Sequence, residues 1–202
     1  MRGDVTGKIG EVIESGTRQW VAEVYRTAEA PAFGTWVKAA HPGGAVLFGA
    51  VSLVEIGSYE PNRRAVAFGM TPEELRREMP QVMELLRTTF RVQVLAYREA
   101  GGALRQTLPP HPAPVHGFVE PCTAEEVRAL GPPFDFLRTL VRHPDGAVPV
   151  DDLAVAVLRQ RHAAFGGGPD GERELIAAGR ALSRLLDDDH ERLHSILRRV
   201  VA

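Results

Sequence analysis

Ala45-Val46-Leu47-Phe48-Gly49-Ala50-Val51-Ser52-Leu53-Val54-Glu55-Ile56 is the stretch on which the fold turns. It is apolar at nearly every position up to Val54, so neither of its faces is written for water. A strand of that kind is covered on both sides and lies at the centre of a sheet. About a dozen residues long, and interrupted by Ser52 and Glu55, it is too short to cross a bilayer core of roughly 30 Å as a helix. Gly49 in its middle predicts a bulge or a sharp bend, which is how a small barrel turns its corners.

Strand patterns continue on either side. Thr35 to Ala39 precedes the central run and joins it around Pro42-Gly43-Gly44. Earlier still, Lys8 to Glu14 and Thr17 to Arg26 make a hairpin about Ser15-Gly16, with Trp20, Ala22 and Val24 on one face. Downstream, Ala65 to Met70 reads as one more short strand. Thr71-Pro72-Glu73-Glu74 then opens a helix: the threonine caps, the glutamate three residues on reaches back, and proline suits the first helical position. Pro80 interrupts that helix, and Val82, Leu85 and Leu86 give the next piece an apolar side. Phe90 to Tyr97 returns to alternation, placing Phe90, Val92, Val94 and Ala96 on one face. Gly101-Gly102 turns the chain, and Ala103 to Leu108 pairs back. Six or so strands with one helical insertion, at about 71–88, close most economically as an antiparallel barrel without free edges.

Pro109-Pro110-His111-Pro112-Ala113-Pro114 holds an extended path and marks the barrel's exit. No flanking basic residue makes it a PxxP ligand. The remainder is helical. Thr123-Ala124-Glu125-Glu126 is a second capping box. Pro133 to Arg142 and Asp151 to Ala164 follow, and Gly166-Gly167-Gly168 ends the latter. Leu175, Ile176, Gly179, Leu182, Leu185 and Leu186 form an amphipathic stripe. A last helix runs from about Asp189 to the C-terminus. The fold class is α+β: an N-terminal small antiparallel β-barrel over 1–115 with a helical insertion, then a C-terminal α-helical domain over 116–202.

Composition narrows the function. The chain has 202 residues, 44% of them hydrophobic, and a formal net charge of −2. That balance exerts no general pull toward nucleic acid or anionic membrane. Cys122 is the single cysteine, so no internal disulfide forms, as suits a reducing compartment. The first residues carry no apolar signal-peptide run, and a cytoplasmic location is expected.

Each motif with chemical promise has a plainer reading. His190-Glu191-Arg192-Leu193-His194 spells H-E-x-x-H, which on a helix sets two histidines over one zinc ion with a glutamate beside it. A third ligand is missing: Ser195 to Ala202 contains no His, Asp or Glu. The preceding Asp187-Asp188-Asp189 suits a solvated helix N-terminus. Cys122 lacks a histidine oriented to activate it, and His111 and His116 flank the proline loop without a carboxylate or cysteine beside them in sequence. Gly3-Asp4-Val5-Thr6-Gly7-Lys8 is one residue short of a phosphate-binding loop, lacks its hydroxyl, and precedes a strand. Gly166-Gly167-Gly168 has no lysine. Arg63-Arg64, Arg76-Arg77, Arg87 and Arg91 cluster around the insertion, but Glu73, Glu74, Glu78 and Glu84 interleave them, as on a solvated face. No catalytic residue, metal ligand, cofactor site or sequence-specific nucleic-acid contact is expected, and no interaction residue is singled out.

Four segments in order resemble the HAS-barrel, the small barrel shared by HerA-type ATPases and the rotary ATP synthases. They are Ile9-Gly10-Glu11-Val12-Ile13-Glu14-Ser15, Trp20-Val21-Ala22-Glu23-Val24, Phe33-Gly34-Thr35-Trp36-Val37 and Phe48-Gly49-Ala50-Val51-Ser52-Leu53-Val54. Leu108-Pro109-Pro110-His111-Pro112 resembles the proline-rich exit of such barrels, so the likeness spans roughly residues 7 to 120. In HerA-type proteins a RecA-like ATPase follows; here a helical domain does, so ATPase activity does not carry over. What the resemblance implies is a barrel that packs side by side in rings, self-associates, and docks partners such as nucleases onto DNA-translocating ATPases. The expected function is that of a non-catalytic protein–protein interaction subunit docking onto or assembling with a HerA-like ATPase or its nuclease. The alternative is a barrel holding a small ligand in its mouth, lined by Trp20, Trp36 and Tyr25.

Overall fold

A computed structural model describes residues 6–59, 66–142 and 146–201. Strands β1 (Gly10–Ser15), β2 (Gln19–Val24), β3 (Trp36–Ala40) and β4 (Val46–Ser58) follow the predicted runs, while β5 (Leu86–Arg98) begins four residues before Phe90: Leu86 to Thr88, expected in the helical insertion, pair with Ser58 to Ile56 of β4 instead. Helices α1 (Pro72–Glu78) and α2 (Pro80–Glu84) sit between β4 and β5. β6 is only Leu104–Arg105, and β7 (Phe118–Pro121) comes after the proline loop. The sheet runs β1–β2–β5–β4–β3–β7 and closes where β7 returns to β1, every pairing antiparallel. This is a six-stranded antiparallel β-barrel, with β6 appended to β5 at Arg98↔Leu104. The sheet thus takes in one strand beyond residue 115, since Val119 pairs with both Gly10 and Ala39. Of the expected strand at 65–70, Ala65 lies outside the described residues and 66–70 form no strand.

Gly49 does what its position predicts. The β4–β5 register slips between Phe48 and Gly49, and again between Val51 and Leu53. A Cβ on Gly49 would lie 2.4 Å from the Gln93 carbonyl oxygen and 2.6 Å from Val92 Cγ1, so only glycine permits the approach. The first slip leaves Leu95 as an extra residue on β5. Phe90, Val92 and Val94 therefore point into the barrel, while Ala96 joins Leu95 on the outside, away from the face alternation assigned it. Bulges of this kind bend a sheet enough to close it.

The barrel interior is filled by side chains such as Val12, Trp20, Leu47, Val51, Phe90 and Val92, all essentially without solvent exposure. One outer side is covered by α3 (Ala124–Ala129), α4 (Phe136–Val141), α5 (Val150–Ala164), α6 (Pro169–Leu185) and α7 (His190–Val201). Trp36, Phe48, Ala50, Leu95 and Ala96 face outward into a core shared with Leu137, Leu140, Leu153, Leu158, Leu182 and Ile196. Trp36 meets Phe136 edge to face, centroids 5.4 Å apart at 82°. Fully burying a side chain of this size contributes roughly 1.5–3 kcal/mol. The barrel and helices are thus held together by a continuous core rather than by a linker. Arg161 fastens the helices from inside: only 1% exposed, it donates to the Val127 carbonyl and pairs with Glu174 at 2.7 Å. α4 begins at Phe136, not Pro133, because Phe134 has a φ of 64°, outside the helical region.

Candidate docking surface

The chemically suggestive residues lie apart from one another. His190 and His194 are exposed on α7, while Leu193, Ile196 and Val200 face inward. Arg192, inside the motif, pairs with Asp151 at 2.6 Å, and its backbone N–H donates to Asp189 Oδ1 at 3.1 Å. Among the described residues no three His, Cys, Asp or Glu side chains come close enough to share a metal ion. The Cys122 thiol sits against the shared core. Burial pushes its pKa far up and the Glu126 charge adds to this, so it stays a thiol, which is a poor nucleophile. No described helix is long and apolar enough to cross a membrane.

Trp20, Trp36 and Tyr25 do not line one mouth. Trp20 is in the barrel interior and Trp36 is outside it under α4. Tyr25 donates to Glu11 Oε2 at 3.2 Å; burial, then the hydrogen bond and charge of Glu11, push its pKa up to about 12. A cleft of about 680 Å³ instead opens between the β3–β4 turn and the proline loop, lined among others by Lys38, His41, Val115, His116, Phe118 and Glu126. Its polar groups already have partners, inside the cleft or just beyond it. Lys38 Nζ is 2.7 Å from Glu126 Oε1, and Lys8 Nζ lies 3.8 Å above the Phe118 ring. His116 Nδ1 is 2.6 Å from Glu11 Oε1, and His41 stacks on His111.

Three of the arginines around the insertion are likewise partnered. Arg76 pairs with Glu73 at 3.6 Å, Arg77 with Glu78 at 2.8 Å and Arg87 with Glu23 at 3.7 Å. Arg91 has a buried Nε without a hydrogen bond. Arg63 and Arg64 lie outside the described residues.

What the fold leaves uncovered is apolar. β4 and β5 continue pairing from Ile56↔Thr88 to Ser58↔Leu86, beyond the last β2–β5 pair at Glu23↔Thr89. They form a two-stranded arm that carries α1 and α2. The arm is fixed at its neck: Tyr59 N–H donates to the Leu85 carbonyl at 2.8 Å, and Arg26 Nη2 to the Glu84 carbonyl at 2.8 Å. Thr71 and Glu74 complete the predicted capping box of α1, and the hydrogen bonds from Thr71 hold the Glu74 carboxyl below its ordinary pKa. Yet neither helix buries a single residue. Ile56 is 73% exposed, Val66 70% and Tyr59 62%, with Phe68 and Met70 also exposed. Large apolar side chains left exposed in this number make the arm the candidate docking surface. The sequence reading missed it because Ile56 closes a run read as a covered central strand, and Val66, Phe68 and Met70 fall in a stretch read as one more strand. No protein-family model matches the chain, and no curated protein matches it.

Proposed function

We propose that this chain is a non-catalytic interaction subunit whose barrel docks, through the β4–β5 arm, onto a HerA-like DNA-translocating ATPase or that ATPase's nuclease. The observation that carries this reading is the exposure of the large apolar side chains of Ile56, Tyr59, Val66, Phe68 and Met70. The closed barrel on the very segments that resemble the HAS-barrel supports the choice of partner. The chain itself supplies no chemistry in this reading and binds no ATP, cofactor or metal. Titration of the full chain into a HerA-type ATPase ring from the same host should show saturable binding, and calorimetry with ATP alone should show none. An Ile56→Asp/Phe68→Asp variant that still folds should lose ring binding at least about tenfold, the scale of a docking hot spot. Undiminished binding by that variant overturns the proposal.

The cleft beside Lys38 and His116 favours one second reading, a small ligand held there rather than in the barrel. Native mass spectrometry of the freshly purified chain tests it; bound mass displaced by His116→Trp would support it.

A further inference from the structure

We propose that the free edge of β4 over Ser52–Gly57 accepts an extended peptide from the partner protein as an added antiparallel strand, with a basic residue of that peptide set against Glu55. This rests on the docking reading and specifies what the partner presents. β3 covers β4 only as far as Trp36↔Ala50. Thr35 and Gly34 hold Val51 through two backbone hydrogen bonds, of 3.0 and 2.8 Å. There the chain leaves. Gly34 has a φ of +82°, and it packs so tightly on α5 that a Cβ would lie 2.3 Å from Ala156 Cβ. Beyond that turn no described strand lies on this side of β4, while β5 continues to pair on the other side to Ser58↔Leu86. Unpaired strand edges are templates for another strand, because their amides and carbonyls still seek partners.

The surroundings select the occupant. Ser52, Leu53 and Val54 form one side of a groove of about 690 Å³ whose other walls include Pro31, Phe33 and Pro149. A second copy of the chain would bring its own Pro31–Phe33 wall to the same place, whereas a single extended strand prolonging β3 fits between the walls. Apolar side chains on that strand would meet Leu53 and Phe33, both 37% exposed. Glu55 is exposed and, among the described residues, pairs with no cation. Opposite charges facing each other across a strand pair are favourable, and like charges are not.

The test uses the full chain and random peptides displayed as a library, the tightest binder being synthesised. The expected peptide alternates apolar residues and carries a Lys or Arg. Its binding should slow hydrogen exchange at alternate backbone amides within residues 52–57. Glu55→Arg should weaken it about three- to fivefold, the size of a cross-strand charge pair, and a peptide with Glu in place of its basic residue should recover the loss. Peptides that protect other amides, or no selectable peptide, overturn the proposal. So does protection of 52–57 that rises with protein concentration alone and accompanies a dimer, since a second copy is then the occupant. If the ATPase ring binds without protecting these amides, the edge proposal fails and ring docking stands. If peptides protect the edge but no ring binds, the reverse holds.

Discussion

β4 is one strand with two halves that live in different environments. From Leu47 to Val51 it is buried on both faces, Leu47 and Val51 in the barrel and Phe48 and Ala50 under the helices. From Leu53 to Gly57 it is largely exposed, although the residues are no less apolar at Leu53, Val54 and Ile56. The same composition therefore stabilises the fold in one half and is left exposed in the other. The difference comes from the neighbours. β3 and the helices accompany the first half, and Gly34 leads the chain away before the second begins.

The sharpest way to break this comparison is to remove the helices. A fragment ending at Pro121 keeps all six barrel strands but bares Trp36, Phe48 and Leu95. It should lose cooperative unfolding and aggregate, whereas replacing residues 60–84 by a short Gly-Ser turn should leave the melting curve of the rest in place. Near-ultraviolet circular dichroism and scanning calorimetry would read both. Point changes scale the same contrast. Phe48→Ala should cost about 3–5 kcal/mol in urea unfolding, while Ile56→Ala should stay within about 0.5 kcal/mol. Gly49→Ala adds only a methyl group, yet that methyl meets backbone; it should cost about 1–3 kcal/mol by overpacking.

Much of this fold was legible in the residues. Alternation located β2 and most of β5, a near-continuous apolar run located β4, and the boxes at Thr71/Glu74 and Thr123/Glu126 form as read. β7 escaped notice because four residues between a proline loop and a helix cap carry no periodicity. The outward turn of Trp36 and Ala96 was also hidden. Which face is inside depends on pairing register and bulges, and these are set by distant strands. The shared core left one sign, the two-sided hydrophobicity of Ala45 to Ile56, but nothing in that stretch says that helices supply the second cover or that they stop at Val51. The arm was least legible, since exposure is a property of what is absent around a residue.

A smaller effect tests how the barrel grips α3. Glu126 is partly buried, which pushes its pKa up, but hydrogen bonds from Lys38 and Thr123, with the Lys38 charge, outweigh this and hold it below 4.5. Folding thus favours the carboxylate. Its contribution is full above the unfolded value near 4.5 and is lost as pH falls through the lower folded value. Glu126→Gln keeps the capping side chain and removes only the charge. It should cost about 1 kcal/mol at neutral pH, with the deficit vanishing in acid. Urea midpoints followed from pH 7 downward check this; a deficit that stays constant throughout would assign the loss to packing.

The central claim is that the exposed half of the β4–β5 unit exists for a partner. The direct measurement is binding of the full chain and of its Ile56→Asp/Phe68→Asp variant to a HerA-type ATPase ring from the same host, with thermal unfolding of both recorded in the same buffer. Unchanged melting and a loss of affinity of at least about tenfold are expected. Equal affinity of the two proteins for the ring, or a wild-type chain that does not bind it, would contradict it.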